Sequence, residues 1–191
     1  MILLARHGQT RWNVERRIQG RTHSDLTPLG LRQARAVAGL LANLAQREDG
    51  PWRLVSSPQQ RALATAQAVS DALRLPVETD ERLAEVCCGG WEGRLREEVG
   101  ASGPEWFFGA PGGESYEEVR GRVADWLDGQ SQEPERRVIV VSHGVAGRLL
   151  RGAYAGLSRA ETLGQDVPQD AVYRLMAGRI DRFDCEPLDQ D

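Results

Sequence analysis

No lysine occurs in these 191 residues; all 24 basic side chains are arginine. A lysine Schiff base and a phosphate-binding loop built on lysine are thereby excluded. Cysteine is scarce. Cys87, Cys88 and Cys185 are odd in number and form no Cys-x-x-Cys pair, so neither a disulfide framework nor a zinc site is indicated. No apolar run approaches the ~18 residues that would suggest a membrane span. The apolar opening from Met1 to Ala5 is too short for the core of a secretory signal, and Arg6 follows at once. A cytoplasmic location is expected. Net positive charge is also missing: the chain carries −4 at pH 7. That argues against nucleic acid or an anionic membrane as partner. It leaves room for a small anionic substrate gripped by a local group of arginines, whose planar guanidinium suits phosphate.

What is present describes an ordinary globular chain, with 40% hydrophobic and 27% charged residues. Its length fits a single domain over residues 1–191 with a sizeable core. Ile2-Leu3-Leu4-Ala5 and Trp52-Arg53-Leu54-Val55 read as strands. Val138-Ile139-Val140-Val141 is the clearest strand, β-branched or apolar throughout without polar alternation, as in the middle of a parallel sheet. Residues 8–26 read as irregular. A helix is expected from Thr27 with Pro28 in its first turn. Ser57 reads as the N-cap of a second helix, with Pro58 leading it. Ser115-Tyr116-Glu117-Glu118 fits a capping box, and a further helix runs through Leu149 and Leu150. Residues 172–176 and 179–183, split around Gly178, suggest a hairpin, and the tail from Asp184 reads as loose. Residues 86–113, rich in glycine and tryptophan, read as a lid or insertion. Strands alternating with helices imply a three-layer α/β/α sandwich on a mostly parallel sheet.

In such a sheet ligands bind beyond the carboxyl ends of the strands. His7 and His143 each fall two residues past a predicted strand, and each precedes a glycine. Ser57 and Arg61 follow a third strand at the start of a helix, where the backbone dipole favours an anion. Two imidazoles, a guanidinium and the carboxyl of Glu85 suit phosphoryl transfer without a metal. Trp106-Phe107-Phe108 fits either the core or an apolar wall over a substrate. His23 reads as a surface residue, and Arg16 and Arg17 as a solvated pair.

The ordered set of segments closely resembles the histidine phosphatase superfamily, the phosphoglycerate-mutase-like fold. It comprises Leu4-Ala5-Arg6-His7-Gly8-Gln9-Thr10 with Trp12 and Asn13, Gln19-Gly20, Leu26-Thr27-Pro28-Leu29-Gly30, and Ser56-Ser57-Pro58 with Arg61. Leu83-Ala84-Glu85, Gly90-Trp91-Glu92-Gly93, Pro111-Gly112-Gly113-Glu114-Ser115 and Val141-Ser142-His143-Gly144 complete it. The resemblance implies that His7 becomes a phosphohistidine and that Arg6, Arg61 and His143 hold the phosphoryl oxygens. It implies that Glu85 protonates the leaving alkoxide. Asn13, Gln19, Ser57 and Gly144 would contact phosphate or substrate, with no metal and no cofactor. The chain departs from the pattern at His23 and Asp25, where many members carry aspartate and proline. The expected activity is hydrolysis of a small phosphate ester. A cofactor-dependent phosphoglycerate mutase is the alternative and an inactive phospho-ligand module a remoter one. Residues 99–119 contain no arginine, which favours water over a second substrate as acceptor. A homodimer stays open.

Overall fold

The strand over residues 138–141 lies inside the sheet. In the computed structural model, which describes residues 1–131 and 137–186, β1 (Ile2–Arg6) and β2 (Trp52–Ser56) flank it. β3 (Val77–Thr79) lies at one edge, and the strand itself is β4 (Arg137–Ser142). β5 (Ala171–Met176) and β6 (Arg179–Asp184) complete a sheet ordered β3-β2-β4-β1-β5-β6. The first four strands of that order run parallel; β5 and β6 form the expected hairpin and pair antiparallel. Val138, Ile139, Val140 and Val141 are buried on both faces of β4, which is why that segment shows no polar alternation.

Helices cover the two faces. Leu3 and Ala5 of β1 pack with Leu54, Ile139 and Val141 against α2 (Pro28–Ala45) and α3 (Gln60–Leu73). The alternate residues Ile2, Leu4, Val138 and Val140 pack against α4 (Tyr116–Ser131), α5 (Gly144–Ala155) and α6 (Arg159–Gly164). α1 (Arg11–Val14) is a single turn inside the stretch expected to be irregular. The period-2 pattern of a strand thus feeds two separate apolar layers, and the sandwich is three layers deep.

Two helix starts compare instructively with the sequence reading. Thr27 caps α2, its hydroxyl accepting from the Gly30 amide, and Pro28 opens the helix as expected. Ser57 does not cap α3, which begins only at Gln60 with no side-chain cap. The Ser57 hydroxyl is engaged elsewhere, as described below. The Ser115–Glu118 box at α4 is formed, and that helix runs to Ser131, past Gly129. The expectation of a loose tail falls largely on residues 187–191, outside the described residues. No helix among the described residues is long and apolar enough to cross a membrane.

Candidate active site

Parallel pairing brings three strand ends to one edge of the sheet. Arg6 pairs with Ser142, and Ser56 with Val141. One residue later the His7 amide donates to the Ser142 carbonyl at 3.1 Å, and the Ser57 amide to that of Val141 at 2.9 Å. His7, Ser57 and His143 therefore leave the sheet side by side. The two imidazoles meet edge to face, ring centroids 5.1 Å apart. The turn after His7 requires glycine. A Cβ on Gly8 would lie 2.2 Å from the Gly30 carbonyl oxygen, and one on Gly30 would lie 2.0 Å from that of Gln9.

His7 has a defined tautomer. Its Nδ1 lies 2.8 Å from the Gly8 carbonyl oxygen, which can only accept, so Nδ1 carries the proton. Nε2 accepts from the Arg61 Nε–H at 3.2 Å, so its lone pair is free of a proton. Burial, then the charges of Arg61 and Arg6, hold the imidazole well below its usual 6.5. His143 is held low by burial and by Arg61 in the same way. Its Nε2 lies 2.7 Å from the Ser57 hydroxyl, while its buried Nδ1 has no partner.

Arg61 is buried without a carboxylate in contact. Its two terminal nitrogens donate to the carbonyls of Gly20 (2.6 Å) and Thr22 (2.9 Å), which fixes the guanidinium so that Nε faces His7. Burial lowers its pKa, with Glu85 and Glu92 opposing. Arg6 donates to the Val167 carbonyl and leaves a buried Nε unpartnered. Burial pushes it down to about 10. Buried cations and orphaned nitrogens of this kind are costly by themselves and suit an arriving anion.

Glu85 faces the same cavity. Its carboxylate accepts the amides of Val86, Val145 and Ala146 at 3.0 to 3.2 Å, the last two from the first turn of α5 beside Gly144. Asn13 and Gln19 line it as well. Their oxygens are taken by the Thr10 amide and hydroxyl, and their amide nitrogens make no hydrogen bond among the described residues. Arg6, His7, Asn13, Gln19, Arg61, Glu85 and Gly144 thus line one cavity of about 200 Å³. His143 lies behind it, on a smaller cavity of about 20 Å³ that Arg6 and Gly144 also border. Ser57 is fully buried against His143 rather than on the cavity wall. No group of three or more His, Cys, Asp or Glu side chains among the described residues is placed to hold a metal ion.

The profile of the histidine phosphatase superfamily (branch 1) matches residues 2–180. The chain belongs to that family. A bifunctional protein of Mycobacterium tuberculosis is 40% identical over 151 residues, 74% of this chain but 40% of that protein. The chain thus spans about two fifths of the length of that relative. A glucosyl-3-phosphoglycerate phosphatase of Mycolicibacterium vanbaalenii is 37% identical over 172 residues, 82% of this chain and 74% of the relative. A probable phosphoglycerate mutase of Proteus mirabilis is 36% identical over 166 residues, 82% of this chain and 75% of the relative. Among solved structures, a mycobacterial glucosyl-3-phosphoglycerate phosphatase complexed with VO3 superposes with a TM-score of 0.81 at 28% identity. The match covers 97% of this chain and 98% of that one.

Several residues around this cavity escaped the sequence reading. Arg17 is partly exposed, as expected, but its head group is also engaged. It donates to the Gly93 carbonyl at 2.8 Å and borders the cavity with Arg96 and Arg148. Gln59 joins two loops, donating to the Gly20 carbonyl and accepting the Glu85 amide. Arg122 of α4 donates to the carbonyls of Arg82, Ala84 and Glu85 and to Glu114, so it sets the backbone from which Glu85 projects. Arg17, Gln59 and Arg122 follow no local rule, since the loop backbone groups they bind lie 26 to 76 positions away in sequence. The aromatic run divides by residue: Trp106 and Phe107 line the cavity, whereas Phe108 packs on Tyr116. His23 pairs with Asp25 on the surface, away from the cavity.

Proposed function

We propose that this chain hydrolyses phosphate monoesters of small metabolites through a phosphohistidine at His7. The observation that carries the reading is the proton-free Nε2 of His7, aimed by Arg61 and lodged between guanidiniums at the wall of a cavity. A phosphoryl group in flight spreads negative charge over three equatorial oxygens and needs in-line positioning more than covalent help. Arg6, Arg61 and His143 hold those oxygens, and the free amide nitrogens of Asn13 and Gln19 are available to contact them. Ser57 acts through His143 by fixing its ring, and Gly144 leaves room beside Arg6 and Glu85. In the first step a bond forms from Nε2 to phosphorus and the ester P–O bond breaks; Glu85 gives the leaving alkoxide its proton. In the second, Glu85 takes a proton from water, whose oxygen bonds phosphorus as the P–N bond breaks, releasing phosphate. The 86–113 segment supplies the wall that selects the organic group. On this reading the protein acts in the cytoplasm as a single domain, alone or as a homodimer. It needs no metal, cofactor, nucleic acid or membrane.

The test is hydrolysis of p-nitrophenyl phosphate with chelator present. His7→Ala should lower the rate by at least ~1,000-fold, as for loss of a covalent nucleophile. Full activity in that variant would remove the mechanism. The second reading, mutase action, draws on the Proteus mirabilis relative. Interconversion of phosphoglycerates primed by bisphosphoglycerate, faster than hydrolysis, would establish it instead.

A further inference from the structure

We infer that Gln169 is a positioning residue of the phosphoryl site: it fixes which way the Asn13 amide faces, so that both Asn13 N–H groups are left for the arriving anion. The inference rests on the phosphatase reading of the cavity that Asn13 lines. A side-chain amide has nearly the same shape either way round, and its hydrogen-bond partners decide which end is oxygen. Two backbone groups decide here. The His7 carbonyl can only accept, and one end of the Gln169 amide lies 3.3 Å from it, so that end is the nitrogen Nε2. The Thr10 amide can only donate, and one end of the Asn13 side chain lies 3.0 Å from it, so that end is the oxygen Oδ1. The second N–H of Gln169 then meets Asn13 Oδ1 at 3.1 Å. Both lone pairs of Oδ1 are taken, both protons of Gln169 Nε2 are used, and Asn13 Nδ2 keeps two donors. An Asn13 amide turned over would set its NH2 against two N–H donors and offer an oxygen to phosphate.

Gln169 projects from a segment that is held along its length. Residues 165–170 join α6 to β5, and their carbonyls are taken almost in succession. That of Gln165 accepts Arg148 Nε at 2.6 Å, and that of Asp166 accepts Arg151. That of Val167 accepts Arg6 Nη1 at 2.6 Å, and that of Asp170 accepts the Cys185 amide at 2.8 Å. Arg151 is itself buried, with its guanidinium 3.9 Å from the centre of the Tyr173 ring. One strap therefore bonds the Arg6 side chain, the His7 backbone and the Asn13 amide. Its bond to Asn13 joins residues 156 positions apart, so the polarity of the Asn13 amide is set by tertiary structure as well as by the turn that Thr10 caps.

The experiment measures binding of inorganic phosphate without turnover. Asn13 and Asn43 are the only asparagines in the chain, so isotopic labelling of asparagine nitrogen gives two side-chain NH2 signals by NMR. Asn43, exposed on α2, is the internal control. Phosphate should shift the Asn13 signal saturably and leave that of Asn43 in place. Gln169→Met keeps a similar length without donors and should weaken calorimetric phosphate binding about ten-fold, the scale of a charge-assisted hydrogen bond. In an Asn13→Ala background the same change should cost less than about three-fold, because Gln169 then has no amide to orient. Gln169→Ala is run beside it, and thermal melts show that the variants compared are folded. An Asn13 signal indifferent to phosphate would overturn the inference, as would equal losses in the two backgrounds or unchanged affinity in a folded Gln169 variant. Hydrolysis of p-nitrophenyl phosphate is scored separately. Coupling between Gln169 and Asn13 without hydrolysis sinks the phosphatase reading and leaves the positioning role, and hydrolysis without coupling does the reverse.

Discussion

The imidazole of His7 has to be a nucleophile in a pocket made of cations, and both demands act on the same proton. Desolvation and the Arg61 charge each disfavour imidazolium, so Nε2 keeps its lone pair at pH values where a solvated histidine would be partly charged. The same arginines then neutralise the phosphoryl oxygens. Carbon-detected or proton NMR of the imidazole Cε1–Hε1 groups can follow this directly, because the chain has three histidines. The signals of His7 and His143 should show no transition between pH 7.5 and 5.5. Arg61→Gln removes a positive charge that lowers the His7 pKa, so its midpoint should move up toward 6.5. A His7 midpoint already near 6.5 in the unaltered protein would contradict the arrangement. These histidines were legible in the sequence because each stands right after a strand and before a glycine. The Arg61 Nε–H that Nε2 accepts was not, since it comes from 54 positions away.

At the scale of elements, the junction of α2 with the loop after β1 is a close backbone approach near the site. The Gly8 and Gly30 backbones touch, the Thr27 amide donates to the Gln9 carbonyl at 2.9 Å, and the Gly8 amide donates to the Thr65 hydroxyl at 3.1 Å. A methyl on Gly30 would meet backbone oxygen, which cannot swing aside. Gly30→Ala should destabilise the fold by roughly 1–3 kcal/mol and lower hydrolysis by displacing His7. Gly39→Ala, which meets nothing within 4 Å on the same helix, should be neutral or mildly stabilising. Thermal melts of the pair check this, and equal melting points would count against the close approach. The start of α2 was readable because Thr27 and Pro28 obey local rules. The start of α3 was not: Ser57 has the right chemistry for a cap, but its hydroxyl goes to His143, and the helix opens three residues later. A tertiary hydrogen bond overrode the local preference.

Over the whole molecule, two apolar layers pack against one sheet, and the site at the sheet's edge pulls against them. His7 and His143 are buried neutral, and their pKa values are lowered in the folded state, so the unfolded chain binds more protons below pH ~6.5. Folding stability is then complete above that pH and falls as the pH drops through it, by up to ~1.4 kcal/mol per pH unit for each of the two. Urea midpoints between pH 7.5 and 5.5 should decline on acidification, and more shallowly in His143→Gln. A flat profile would mean that the two imidazoles titrate normally. The three layers were legible from strands alternating with helices, and seven cavity residues from the ordered motifs. Arg96 and Arg148 were not: the arginine-free window at 99–119 concealed the fact that the fold draws guanidiniums in from just before it and from α5. Arg96 arrives there because the strip from Arg16 to Ile18 is laced to Gly93–Arg96 by backbone hydrogen bonds. Glu92 further ties down the Arg21 amide and the Thr22 hydroxyl. A chimera that imports only the 86–113 segment from another family member would cut that lacing and loosen Arg61 through Gly20 and Thr22. A transplant of that wall should therefore carry residues 10–22 along with it.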